Sequence, residues 1–385
     1  MTVLTTTLRV PGVADPPDER ADGVRRDLEF YWREHRLVSP PLWRRLAVER
    51  SNHRALHSAL RDSAPDVVSV WHMGAMSFGL LTTLVERDLP LVYVVCDEWM
   101  VYGPALDAWT RLYATRPRVA RLARRLTGVP TSAPDLGTSG TFCFVSESVR
   151  RRTEGHSSWR PQRSTVVYSG VDRNLFRAAD RAKSAWRWRL ICAGRLDERK
   201  GVHVAVDALA LLPEVATLAI LGRGDPQYRR RLGVSATRLG LGQRVRFDLV
   251  DRSVLRDHYV SADVALFPVI WDEPFGLVPI EAMACGTPVI ATGRGGSAEF
   301  LRDELNCLIV PPGDAQALAA AVRRLAEEPA LRARLIEGGL RTAEELDVDR
   351  LADVLEAWHV AAAERFAEGR PPDRPSPLAR VVSPG

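Results

Sequence analysis

Short runs of apolar residues alternate with longer stretches whose apolar positions recur every three or four residues. The runs DVVSVWH (66–72), LPLVYVVCD (89–97), TFCFVS (141–146) and STVVYSG (164–170) show little polar alternation. That is the pattern of strands buried on both faces of a parallel sheet. Helical stretches lie between them, for example 74–87 and 103–126. A second series begins at RLICAG (189–194) and continues with ATLAILG (216–222), RVRFDLV (244–250), VALFPV (264–269), PVIAT (288–292) and NCLIV (306–310). Sustained strand–helix alternation predicts doubly wound α/β sheets. Two series, joined near 173–187 by a polar stretch, predict an α/β chain of two Rossmann-like domains facing across a cleft. Ligands then bind at the carboxyl ends of the strands. The expected units are an N-terminal domain over 1–176, a C-terminal domain over 185–345 and a helix over 346–368. The Pro-rich segment 369–385 is expected to be disordered.

The start breaks the pattern. A Rossmann half ordinarily opens on its central strand and a glycine-rich turn. Here the first strand candidate is TVLTTT (2–7), with no glycine-rich strand-to-helix turn before it.

Composition narrows the picture modestly. A chain of 385 residues is long for one core and fits two domains. The net charge of +5 is spread along the chain, which favours small anionic ligands over nucleic acid. No apolar run reaches the roughly 18 to 20 residues of a membrane span. MTVLTTTLRV has neither a charged leader nor a long apolar core, so the expected location is the cytoplasm. The five cysteines show no CxxC and no metal spacing, and read as buried small hydrophobes in a reducing compartment.

Three segments hold candidate chemistry. In DEPFGLVPIEAMACGTPVIAT (272–292), Glu273 precedes a proline and is therefore extended or in a turn. A helix is expected from about Leu277, so the N–H groups of Phe275, Gly276 and Leu277 are free to meet an anion or a hydroxyl-rich ligand. Glu273 and Glu281 flank that helix start. An equally weighted reading is a helix whose acidic residues only favour its own dipole. The second segment is CAGRLDERKG (192–201). It holds Lys200, one of two lysines (the other is Lys183) among 53 basic residues. Arg195 and Lys200 flank a turn at a strand's carboxyl end. A planar fork and a compact point charge suit a diphosphate there. A merely solvated charged loop fits the same letters, and taken alone is the more ordinary reading. The third segment, ILGRGDP (220–226), places Gly222 and Arg223 after a strand; such glycines usually only make turns.

The combination is more specific than its parts. GRLDERKG, then LGRG, then EPFGLVPIEAMACGTPVIA, then GRGGSAEFL (293–301), in that order, resembles the retaining family-4 glycosyltransferases of GT-B fold. FVSESVRRR (144–152) and VVYSGVDRNLF (166–176) are similar to segments of the same family. The resemblance is close over 140–345 and looser over 2–140. It implies a glycosyltransferase that uses a nucleoside-diphosphate sugar. Arg195 and Lys200 would neutralise the diphosphate, and Glu273 would hold donor-sugar hydroxyls. The backbone of Phe275, Gly276 and Leu277 would approach sugar and phosphates. Glu281 would bind the ribose, and Gly222 and Arg223 would lie near the base. No metal and no resident cofactor is implied.

The N-terminal half would bind an acceptor, with His72 and Asp97 at successive strand ends; packing or surface roles for His72 fit equally well. The chain reads Cys96-Asp97 where relatives often read His-Asp. Trp99, Tyr102 and Trp109 follow, as an aromatic platform or, more simply, as core. Ser146 reads as a helix N-cap. The basic segment 111–126 fits a solvated helix face or a peripheral contact with an anionic membrane. By the same resemblance TVLTTT matches the family's second strand, so the expectation is a start truncated by a misplaced initiation codon or by deletion. A second functional reading is a catalytically weak sugar-nucleotide binder or partner subunit.

Overall fold

The computed structural model describes residues 1–7, 23–33, 36–178 and 185–368. It divides into two compact units. The first comprises Met1–Phe144, Val149–Val166 and the chain from Val354; the second comprises Val145–Ser148 and Val167–Asp353. Residues 167–176 group with the second unit through specific contacts. Tyr168 stacks on Phe275, Val171 bridges Asp347, and Phe176 meets Tyr259 edge to face. The C-terminal helix is Val348–Glu368. Lys183 and the Pro-rich tail lie outside the described residues.

In the first unit β1 (Val3–Thr6) pairs in parallel with β2 (Val24–Leu28), and β3 (Trp32–Arg33) with β4 (Arg36–Leu37) antiparallel. The main sheet has four parallel strands in chain order: β5 (Val68–Val70), β6 (Leu91–Val95), β7 (Thr141–Phe144) and β8 (Ser164–Val166). Every residue of β6 and β7 is buried, as their unbroken apolar runs require. Two expectations need correction here. The stretch 103–126 is not one helix. It is a helix Trp99–Leu106, a 3-10 turn Thr110–Leu112 and a helix Pro117–Thr127. Buried Asp107 makes the break, accepting hydrogen bonds from the N–H groups of Phe78, Trp109 and Thr110. Pro117, with no N–H to leave unpaired, then opens the next helix. The cysteines are also not uniformly buried: Cys96 is exposed at the end of β6, while the other four are buried. Trp99 and Trp109 are fully buried, so they are core rather than platform.

The second unit has a six-stranded, all-parallel sheet: β9 (Arg189–Ala193), β10 (Thr217–Leu221), β11 (Val245–Asp248), β12 (Val264–Phe267), β13 (Val289–Ala291) and β14 (Leu308–Ile309). Their spatial order is β11-β10-β9-β12-β13-β14. The chain therefore winds one way from β9 and the other way from β12. The loops after these two neighbours leave in opposite directions and open a crevice between them. Both lysine- and glutamate-bearing segments singled out from the sequence fall at this point.

Candidate active site

Three glycines bring the loops together. Gly222 has φ +146°, and a Cβ there would lie 1.9 Å from the Gly194 carbonyl oxygen. A Cβ at Gly224 would lie equally close, 1.9 Å, to the Leu196 carbonyl. The Leu196 N–H donates to the Arg223 carbonyl at 2.6 Å, so the loops after β9 and β10 run side by side. The chain's own backbone thus explains the glycines of LGRG. Next, Asp197 caps the turn Glu198–Lys200 through the Arg199 N–H and grips the Arg199 guanidinium at 2.6 Å. Those hydrogen bonds hold its carboxyl down at about 2. The turn ends at Gly201, φ +66°, where a Cβ would sit 1.9 Å from the Pro268 carbonyl. The Ile270 N–H also donates to the Arg199 carbonyl at 2.9 Å. The loop after β9 is thereby strapped to the loop after β12.

This strap sets Lys200 against Glu273. Lys200 Nζ lies 2.6 Å from Glu273 Oε2, with the two side chains only 20% and 11% exposed. Trp271 Nε1 donates to the same oxygen at 2.9 Å. The Trp271 ring carries the Arg199 guanidinium at 4.3 Å from its centroid, a cation–π contact. The Glu273 backbone is fixed too, its carbonyl accepting from the Gly296 N–H at 2.7 Å. Arg195 stands at the same strand end with its side chain 58% exposed and 3.9 Å from Asp197. A narrow pocket lies between the two strand ends, walled by Gly194, Arg195, Lys200, Val202, Pro268 and Val278.

The helix Leu277–Ala284 starts at Gly276, φ +101°. Phe275 is buried between Tyr168 (5.5 Å, stacked) and Phe300 (5.0 Å), which fixes the turn. Leu277 is partly exposed. Glu281, one turn into the helix, is buried; Tyr259 donates to it at 3.3 Å and Arg252 at 3.4 Å. Burial raises its pKa above the ordinary carboxylate value, opposed by Arg252 and by the Tyr259 hydrogen bond. Glu299 faces elsewhere. Its two carboxylate oxygens accept the N–H groups of Glu147 and Ser148 at 2.9 and 2.8 Å, capping the helix Glu147–His156. The two donors lie 152 and 151 positions from Glu299 in the chain.

In the first unit His72 and Asp97 follow β5 and β6. His72 Nδ1 lies 3.5 Å from Asp97 Oδ1, Tyr102 donates to Oδ2 at 2.7 Å, and the Trp99 N–H donates to Oδ1 at 3.0 Å. Burial alone would push Asp97 up. The hydrogen bonds from His72, Tyr102 and Trp99 outweigh it and hold the carboxyl below its ordinary value. Cys96 lies beside it, exposed at the end of β6.

Arg195, Lys200, Glu273 and Phe275 to Leu277 thus gather at the β9–β12 crevice, with Gly222 and Arg223 on the adjoining loop and Glu281 in the helix behind. Sequence reasoning missed Trp271. Its only signal was a large donor two residues before Glu273.

Two family models cover most of the chain: "Glycosyl transferases group 1" over residues 176–342 and "Glycosyltransferase Family 4" over residues 5–175. The lipopolysaccharide core biosynthesis glycosyltransferase LpsE of Rhizobium meliloti is 38% identical over 249 residues, covering 64% of this chain and 70% of LpsE. The chain belongs to glycosyltransferase family 4. A D-inositol 3-phosphate glycosyltransferase of Thermomonospora curvata is 34% identical over 246 residues, 57% of each chain. The chain matches only about half the length of such relatives, 52% and 51% in two others. Among solved structures, sucrose-phosphate synthase from Thermosynechococcus elongatus superposes with a TM-score of 0.67 at 23% identity, over 96% of this family 4 chain and 88% of that one. Anabaena Alr3699/HepE gives 0.60 at 23% identity, over 79% and 82%. These neighbours give the fold as GT-B.

Proposed function

We propose that this chain transfers a glycosyl group from a nucleoside-diphosphate sugar to a small-molecule or lipid acceptor, with retention at the anomeric carbon. The observation that carries the reading is the Lys200–Glu273 pair at the β9–β12 switch point, 2.6 Å apart and largely withdrawn from water. A compact cation and a hydrogen-bond-accepting carboxylate lie side by side, at the opening of a helix whose first N–H groups are unpaired within the helix. That arrangement suits a ligand with a diphosphate at one end and a polyhydroxy ring at the other.

In this reading the diphosphate lies against Lys200, Arg195 and the N–H groups at Phe275 to Leu277. Glu273 accepts hydrogen bonds from the donor sugar. Glu281 takes the ribose hydroxyls, with Gly222 and Arg223 beside the base. As the bond between the anomeric carbon and the phosphate oxygen breaks, negative charge grows on the diphosphate. Cations already fixed there stabilise that charge more than they stabilise the bound donor. The acceptor oxygen bonds to the anomeric carbon from the face the leaving group departs, and its proton passes to the leaving phosphate. No protein nucleophile is needed. Asp97 and His72 belong to the acceptor side.

The test uses the full chain. A panel of UDP-, GDP- and ADP-sugars is screened by thermal shift, then by donor hydrolysis and transfer. UDP-sugars come first, since HepE was crystallised with UDP. Stabilisation with turnover is expected. Stabilisation without turnover under any acceptor would favour a sugar-nucleotide-binding protein, and no stabilisation by any donor would sink the donor-site assignment.

A further inference from the structure

The helix Pro117–Thr127 is unlike the other long helices: among its residues none is buried. Its sequence, PRVARLARRLT, has an extreme segregation of side chains. At 100° per residue Arg118, Arg121 and Arg125 fall on one flank, and Val119, Leu122 and Leu126 on the next. The side turned to the protein is formed by the small, half-buried Ala120, Ala123 and Thr127. It is pinned at two places. The Thr131 hydroxyl donates to the Ala120 carbonyl, and Arg124 grips Glu86 at 2.7 Å. Everything else faces solvent, with Val119, Leu122 and Leu126 at 50%, 58% and 73% exposure.

Solvation alone accounts for arginines but not for three aliphatic side chains held in water next to them. Between Trp109 and Pro134 the chain has six arginines and no acidic residue. Arg118, Arg121 and Arg125 have no carboxylate partner among the described residues. An open pocket adjoins the helix, walled by Arg111, Arg121 and Thr131 together with the apolar Phe78, Pro104 and Pro134. A second copy of the chain is a poor occupant, since like arginine rows would face each other. Nucleic acid would leave Leu122 and Leu126 in water.

We propose that this helix is a docking surface for an anionic phospholipid membrane. It lies flat in the interface, with its aliphatic flank at the acyl boundary and its arginines among the phosphates. The attachment is peripheral: no described helix is long and apolar enough to cross a membrane. Each arginine near such a surface raises partitioning by about fivefold, and salt screens the effect.

Vesicle flotation of the full chain tests this, with phosphatidylcholine vesicles against vesicles containing one part in three phosphatidylglycerol. Strong binding to the anionic vesicles alone is expected, weakening at high salt. The variant R118E/R121E/R125E should bind at least about a hundredfold more weakly, as should L122D/L126D. These positions are exposed, so circular dichroism and melting should be unchanged in both variants. Absence of binding, equal binding to both vesicle types, or binding unaffected by either variant overturns the proposal. So does a dimer in solution that L122D/L126D dissolves, because a second copy would then be the occupant.

Discussion

The two units share an architecture but differ in what they bury. The second unit's core is built from aliphatic residues such as Leu190, Val206, Leu218, Ile220, Val264 and Ile290. Several of its buried polar side chains hold backbone. Asp263 accepts the N–H groups of Arg187 and Arg189, and Thr287 donates to the Tyr259 carbonyl. The first unit buries ionisable groups against each other. Glu49 is fully buried, takes a 2.7 Å hydrogen bond from Tyr31 and shares its surroundings with Asp107. His53, buried nearby on the same helix, is pushed down to about 4 by burial. The contrast teaches where rigidity comes from. In the second unit backbone strands and loops approach so closely that only glycine fits, which fixes the Lys200–Glu273 geometry. In the first unit side-chain chemistry sets the structure, and pH can reach it.

The sharpest way to break this comparison is one methyl group placed in each unit. Gly201→Ala puts a Cβ against the Pro268 carbonyl at a positive φ. It should destabilise by at least about 3 kcal/mol and disorder the Lys200 turn. Gly155→Ala, in a first-unit helix where an added Cβ meets nothing within 4 Å, should be neutral or stabilising by about 0.5 kcal/mol. Urea unfolding of both reads the difference; equal effects would mean that the close approach is not a constraint.

The next effect is on chemistry. Lys200→Ala should lower turnover at least about tenfold, the scale of one charge-assisted contact. Lys200→Arg should recover it only in part, because the space beside Trp271 and Glu273 is fitted to a slender side chain. Steady-state kinetics with the donor found by the panel decides; full activity in the arginine variant would remove any special role for lysine.

The first unit's prediction is a pH dependence. Burial raises Glu49 to about 8, well above an unfolded carboxylate near about 4.3. Between those values the folded chain binds the proton and the unfolded chain does not. Stability should therefore fall as pH rises through that window, by up to about 1.4 kcal/mol per unit for this group. Glu49→Gln should flatten the slope, and melting curves from pH 5 to 8 would reveal it. An unchanged slope would show that Glu49 is not what couples this unit to pH.

The comparison also explains what could be read from sequence. All ten strands expected over 66–310 are present, because buried parallel strands write themselves as unbroken apolar runs. The crevice residues were legible for a related reason. Where backbones touch, only glycine fits, so Gly201, Gly222 and Gly224 mark the loops of the crevice in the sequence. What stayed hidden depends on side chains distant in sequence. Asp107 breaks the helical stretch after Trp99 by reaching back to Phe78, and the carboxylate of Glu299 takes up the N–H groups of Glu147 and Ser148 from far along the chain. No periodicity announces such pairings. The exposure of Cys96 was missed likewise: its strand is wholly buried, and the chain leaves the sheet one residue earlier than the apolar run suggests.

Trp271 offers the finest test of whether the crevice is rigid by backbone alone. Its indole N–H is one of two donors on Glu273 Oε2, and its ring lies beneath Arg199. Trp271→Phe removes the first contact and keeps a ring for the second. If the backbone already fixes Glu273, the loss should be that of one neutral donor to a carboxylate. That is about 1.5 kcal/mol, the low end for a hydrogen bond to a charged group, or roughly tenfold in kcat/KM. Glu273→Gln in the Trp271→Phe background then measures coupling, since an amide accepts the indole hydrogen bond less strongly. A Trp271→Phe loss larger than that of Lys200→Ala would mean that the indole, not the strapped loops, aims the carboxylate.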